Sequence, residues 1–198
     1  MSNSATHFLW CDLETTGLEP FKGDKMLEFA FKLTPLDIFC EEDPQAIKPI
    51  WYYQKSVHFS RSEAAALKFS SPFVYDMHTK NGLLEECAVS DVTCDQVEIE
   101  VCKELDRLHS ELGIKKGSVI LAGSSIHFDR KWLEWFTPEI CERLHYRIMD
   151  VSSLYPVLDM LRINRLSFPK VHRAMADIDR TIAELADMLK IIRSNSQR

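Results

Sequence analysis

No apolar run in this chain is long enough to cross a membrane. The longest stretch free of Asp, Glu, Lys and Arg is Gly117–Phe128, twelve residues, where a spanning helix needs about 20. The opening residues MSNSATHFLWC lack the basic region of a secretory signal, and no arginine precedes Arg61. Neither an export signal nor an Arg-rich organelle presequence is therefore expected. Basic charge is also short: 24 Lys+Arg stand against 30 Asp+Glu, for a net charge of -6. That argues against a protein that wraps long nucleic acid, because neutralising many phosphates needs a concentrated basic surface. A short or monomeric anionic ligand stays compatible with it. No two of the six cysteines form a CxxC pair, which disfavours a zinc ribbon. A chain of 198 residues needs no disulfide framework, so the thiols read as reduced and the setting as cytoplasmic, or organellar such as mitochondrial. No repeat, low-complexity tract or Pro/Gly/Ser-rich linker divides the sequence. One domain spanning 1–198 is expected, with frayed ends at 1–6 and 194–198.

What is present is the composition of an ordinary globular domain, 45% hydrophobic and 27% charged. At this size ~70% of the unfolded surface can be buried. Phe8, Trp10, Asp12 and Glu14 alternate with Leu9, Cys11 and Leu13, the period-2 pattern of a strand. A second alternating run covers Met26–Leu33, acidic residues Glu41–Asp43 mark a loop, and IWYYQKSVHF from Ile50 reads as a third strand, so an antiparallel meander is expected. The second half changes rhythm. Val97, Val101, Leu105, Leu108 and Leu112 recur at helical spacing ahead of Gly113. Cys94 and Cys102 fall in that pattern as core packing. SVILAGSS from Ser118 has the apolar run of a buried strand. Phe128, Trp132, Trp135 and Phe136 form a helical stripe, Thr137-Pro138 restarts a helix, and Ile178, Ile182, Leu185, Leu189 and Ile192 define the last one. The order predicts an α/β fold with a mixed sheet flanked by helices.

The chemistry starts at Asp12-Leu13-Glu14. Two carboxylates two residues apart in a strand share a face, here beside Phe8 and Trp10. Ionised acids there carry a large desolvation cost unless a cation or donor compensates; a solvated sheet edge is the plain alternative. Asp129 follows the apolar strand at a helix start, where a capping or dipole role is also open. Asp177 follows His172 by five residues, about 140° of rotation in a continuous helix. The two converge only if His172 sits in the loop or frayed turn before the helix. Asp179, seven residues on, is the internal competitor, and a histidine before a helix is also an ordinary surface or capping residue.

Together WCDLETTGL (Trp10–Leu18), SSIHFDRKWL (Ser124–Leu133) and HRAMADID (His172–Asp179) resemble the three motifs of the DEDDh 3′–5′ exonuclease superfamily. TKNGLLEEC, LAGSSIHFDRKWL, LHYRIMDVSSL and VHRAMADIDRTIAEL are similar to oligoribonuclease within it. The likeness runs from Trp10 to about Leu189 and is weakest between Phe39 and Phe73. It implies an RNase H-like fold and makes Asp12, Glu14, Asp129 and Asp177 ligands of two divalent ions, Mg²⁺ or Mn²⁺, which suit hard oxygen donors. It makes His172 the general base. It makes Leu18 a wedge between two bases, and His78, Ser125, Arg147 and Ser152 a cap on a 5′ phosphate. An Arg and a His with two hydroxyls can hold one terminal phosphate without a basic groove. It also implies a homodimer in which Tyr146 and Arg147 act on the partner's substrate. Three positions depart from the family pattern: Thr15 where a methionine is usual, Ala176 where a second acid is common, and Ser124 in place of an asparagine.

The resemblance implies a metal-dependent exoribonuclease that degrades very short RNA, dinucleotides especially, to nucleoside 5′-monophosphates, with no membrane partner. The competing enzyme is a DEDDh exonuclease acting on longer single-stranded DNA or RNA, as in proofreading or trimming. A non-catalytic dimeric adaptor is the reading from another class, opposed by retention of all five residues of the catalytic set.

Overall fold

A computed structural model describes residues 5–40, 48–164 and 168–196; the acidic loop expected at Glu41–Asp43 lies outside them. Strands β1 (His7–Thr15), β2 (Met26–Pro35), β3 (Trp51–Ser56), β4 (Val119–Gly123) and β5 (Ile148–Asp150) form one sheet in the order β3-β2-β1-β4-β5. The first three strands pair antiparallel, as the alternating sequence pattern predicts; β4 then adds parallel to β1 and β5 parallel to β4. The sheet is mixed and helices flank it. The third strand is shorter than expected: pairing ends at Ser56, and Val57 and Phe59 leave the ladder to fill buried positions beside it.

β1 is central and buried on both faces. Leu9, Cys11 and Leu13 enter a core with Val97, Val101 and Leu108 of α4 (Cys94–Leu112) and Trp132 and Leu133 of α5 (Ile126–Phe136). Phe8 and Trp10 pack on the opposite face against Ile178, Ile182 and Leu185 of α8 (Ala174–Ser196). Each fully buried large side chain contributes about 1.5–3 kcal/mol, so α4 and α5 anchor one face and α8 the other. The cores explain why Asp12 and Glu14 are conspicuous: they continue the Phe8–Trp10 face past its apolar part to the end of the strand.

Local signals set the helix limits. Thr93 and Gln96 form a capping box at the start of α4, and Gly113 ends it at φ 66°. Pro138 opens α6 (Pro138–Arg143). The aromatic stripe of α5 divides: Trp132 is fully buried, whereas Trp135 is 58% exposed and meets Phe21 edge-on. Gly123 closes β4 where a Cβ would stand 2.7 Å from the Cys11 carbonyl oxygen, so the chain passes tightly there into α5. Periodicity does not foretell three short helices, α1 (Arg61–Ser70), α2 (Pro72–Lys80) and α3 (Leu83–Val89). They cover the β2 end of the sheet with a small core of Leu27, Phe59, Leu67, Leu83, Leu84 and Cys87. A short helix α7 (Tyr155–Met160) comes before α8, which runs to Ser196. Among the described residues no helix is long and apolar enough to span a membrane.

Candidate active site

The end of β1, the first turn of α5 and the start of α8 converge on one point. Glu14, His172 and Asp177 each offer a ligand atom within 4.8 Å of the others. His172 precedes α8 in a left-handed conformation, φ 57°. That turn is what brings it beside Asp177 despite the five-residue spacing. The His172 amide donates to Asp177 Oδ2 at 3.1 Å, so the helix acid holds the loop it faces. Asp179 points elsewhere, onto an ion pair with Lys32, and is exposed. Asp129 is buried in the first turn of α5 and its Oδ1 accepts the Leu13 amide at 3.0 Å, which fixes the carboxylate against β1. A register shift between Glu14 and Thr15 ends the regular pairing with β2 beside these acids, a usual place for a bulge that re-aims a side chain.

The electrostatics are those of a cation site. Desolvation, with Asp12, Asp177 and Glu28 adding repulsion, pushes Glu14 up to about 9. Desolvation and then Asp177 push Asp12 up to about 8, against the opposing pull of Lys170 and Arg180. Burial and then Asp12 hold Asp129 well above the usual carboxylate range. Acids crowded this tightly keep protons unless a cation replaces them. The carboxylate oxygens fit a hard divalent ion, with the His172 imidazole beside them. One guanidinium already braces the cluster: Arg180 Nε donates to Asp177 at 3.2 Å and Nη1 to Glu184 at 2.7 Å, and Tyr155 donates to the far side of Glu184.

The remaining residues expected at the site divide. Leu18 is 70% exposed on the turn after β1, and Lys131 Nζ donates to its carbonyl at 2.8 Å, tying that turn to α5. Ser125 and Ser152 come together, their hydroxyls 3.4 Å apart, around Asp150, which accepts from both amides and from the Ser152 hydroxyl. Tyr146 is exposed, with Arg147 over its ring and His145 stacked beneath. His78 is apart from these groups. It is fully buried, with Nε2 3.6 Å from Glu14, and burial with the nearby His172 pulls it down to about 4, so the ring is neutral.

Glu28 is the buried acid that motif matching passes over. It stands opposite Glu14 in the β1–β2 ladder, fully buried. The one sequence signal for it is a charged residue inside MLEFAFKL, a run otherwise apolar except for its lysine.

Comparison with known proteins places this geometry in a family. No family model matches the chain. "Oligoribonuclease" of Paracidovorax citrulli is 31% identical over 193 residues, covering 96% of this chain and 91% of the relative. "Probable oligoribonuclease" of Dictyostelium discoideum is 30% identical, over 93% of this chain and 90% of the relative. "Oligoribonuclease, mitochondrial" of Homo sapiens is 31% identical, over 91% and 71%. The fold matches the metal-free and the zinc-bound forms of an E. coli exonuclease I–single-stranded DNA complex, with TM-scores of 0.54 and 0.57 at 18% and 17% identity. The chain covers 92% and 98% of itself in those matches but spans only 39% and 42% of the exonuclease I chains. Relatives of matching length that share the name, and a mixed sheet carrying acids from three separate motifs to one point, lead to the same assignment: the chain belongs to the oligoribonuclease family.

Proposed function

We propose that the protein is a 3′–5′ exoribonuclease that cleaves very short RNA, dinucleotides above all, to nucleoside 5′-monophosphates. The convergence of Glu14, His172 and Asp177 carries the reading. Asp12, Glu14, Asp129 and Asp177 would hold two Mg²⁺ or Mn²⁺ ions. Bound there, the ions supply neutralisation of the acids and of the phosphate, and acidify a coordinated water. Their four positive charges offset most of a formal net charge of -6, so the acidic balance that excludes a long polyelectrolyte track leaves room for a short substrate.

The protein's own groups would do the rest. His172 takes the proton of the attacking water, as a general base within reach of the acids does. The hydrogen bond that its backbone amide donates to Asp177 holds its backbone beside the acids. Asp129 is held rigid by the Leu13 amide, so its oxygens need no reorganisation when charge develops. Leu18, exposed and anchored through Lys131, separates the two bases. Ser125, Ser152 and Arg147 hold the 5′ phosphate. His78 belongs to the cap by resemblance; its buried ring stands 3.6 Å from Glu14. An exposed Tyr146 with Arg147 over its ring is a surface suited to reaching a partner's substrate in a homodimer. The free thiols of Cys11, Cys87, Cys94, Cys102 and Cys141 suit a reducing compartment, cytosol or mitochondrial matrix.

Incubation of the pure protein with a 5′-phosphorylated dinucleotide and Mn²⁺ tests the reading. Release of mononucleotides, abolished by Asp12→Ala, is expected. An inert wild-type protein would sink it.

A further inference from the structure

His172 is held from three sides, and only one side is the catalytic cluster. Its amide donates to Asp177. Its carbonyl accepts from the Asn81 side chain, ninety-one residues away in the turn between α2 and α3. The next residue, Arg173, is gripped in turn: Nη2 donates to Glu28 at 3.0 Å and to Glu86 at 2.6 Å, and Nη1 to Glu86 at 2.9 Å. Glu28 also accepts the Ala174 amide at 2.8 Å, which caps the first turn of α8 from the sheet. A non-glycine residue in the left-handed region persists only where its surroundings over-determine it. Here both backbone groups of His172 and the residue after it are fixed.

Glu28 lies beside Glu14 and is fully buried, so it could pass for a fifth metal ligand. Its oxygens are already engaged. Oε1 accepts from Gln54 at 2.7 Å and from Arg173, and Oε2 accepts from Ala174 and from Arg173 Nε at 3.4 Å. A carboxylate that accepts four donors and faces a guanidinium has little left for a cation.

We infer that Glu28, Arg173 and Asn81 form a clamp that sets the backbone of His172 and thereby the position of its imidazole: they are positioning residues that act through the base and bind neither metal nor substrate. The inference rests on the reading of His172 as the general base. It also gives the helical cover α1–α3 a function, since Asn81 and Glu86 reach the site from there.

A double-substitution cycle tests it, with kcat, KM and Mn²⁺ affinity measured on a dinucleotide. Asn81→Ala, at a half-buried turn, is expected to lower kcat about tenfold to a hundredfold, the usual range for a residue that orients an active-site group. KM and Mn²⁺ affinity should stay within about twofold of wild type, because the Asn81 side chain bonds the His172 carbonyl and no acid of the cluster. In a His172→Ala background the same substitution should cost nothing further, because the group it positions is gone. Glu28→Gln, which keeps an acceptor for Ala174, should repeat the pattern with intact Mn²⁺ binding. An equal loss from Asn81→Ala in both backgrounds would overturn the inference, as would Mn²⁺ affinity lost in Glu28→Gln. A fully active His172→Ala would instead overturn the assignment of the base itself.

Discussion

Cation binding at this site must expel protons, and the amount follows from the acids. With Glu14 near 9 and Asp12 near 8, only ~1% of the first and ~10% of the second are ionised at pH 7. Ligation needs both deprotonated, and Asp129, also held well above the usual carboxylate range, adds to the count, so loading the site at pH 7 should release about two protons or more. Each proton released makes the affinity about tenfold tighter per pH unit, so the apparent Kd for Mn²⁺ should fall ~100-fold or more per unit between pH 6 and pH 7 and flatten once the acids are ionised. Stability follows with a defined sign. Both acids titrate higher in the folded protein than in the unfolded chain, near ~4. The metal-free fold therefore binds the extra protons and loses stability as pH rises from ~4 through 8 and 9. Saturating Mn²⁺ should restore Tm, by more at pH 8.5 than at pH 6. Calorimetry of Mn²⁺ binding at pH 7 in buffers of different ionisation enthalpy counts the protons directly. No proton release, with a pH-independent Kd, would refute the view that desolvation and mutual repulsion dominate this cluster.

Other consequences are more local. Asp177→Asn should abolish turnover and Asp179→Asn leave it within about twofold, since only the former faces the site and the latter sits in an exposed pair of ordinary surface value; equal losses in a steady-state assay would undo the choice between them. Trp132→Ala, emptying a fully buried indole position between α5 and the sheet, should cost about 3–5 kcal/mol in urea unfolding. A cost below about 1 kcal/mol would show that this core is not what seats Asp129. Tyr146→Ala should slow dinucleotide cleavage while light scattering still shows twice 22.9 kDa; a 22.9 kDa species for the wild type at micromolar concentration would contradict action in trans.

Much of this site is legible in the sequence because its motifs are local. Asp12 and Glu14 share a strand face by simple alternation, and Asp129 opens a helix whose buried stripe is plain. The choice of Asp177 over Asp179 is not local: it depends on a left-handed His172, which no helical wheel contains. The role of Glu28 is hidden for the same reason, since its partners lie on the next strand and at Arg173 and Ala174, over a hundred positions away. Helices α1–α3 go unread because each is short and buries few side chains, leaving little periodicity to find. Trp135 joins the aromatic stripe by spacing, yet its face turns to solvent and to Phe21.

The claim at the centre is short RNA cut from its 3′ end, and a length series tests it most directly. Pure protein with Mn²⁺ would be given 5′-labelled RNAs from two to ~20 nucleotides, the longest being of the size that rewards a basic binding channel. The expected result is mononucleotide release with kcat/KM highest at the dinucleotide and falling with length. Uniform or rising efficiency toward the longest strand would contradict the account and favour an exonuclease for long single strands.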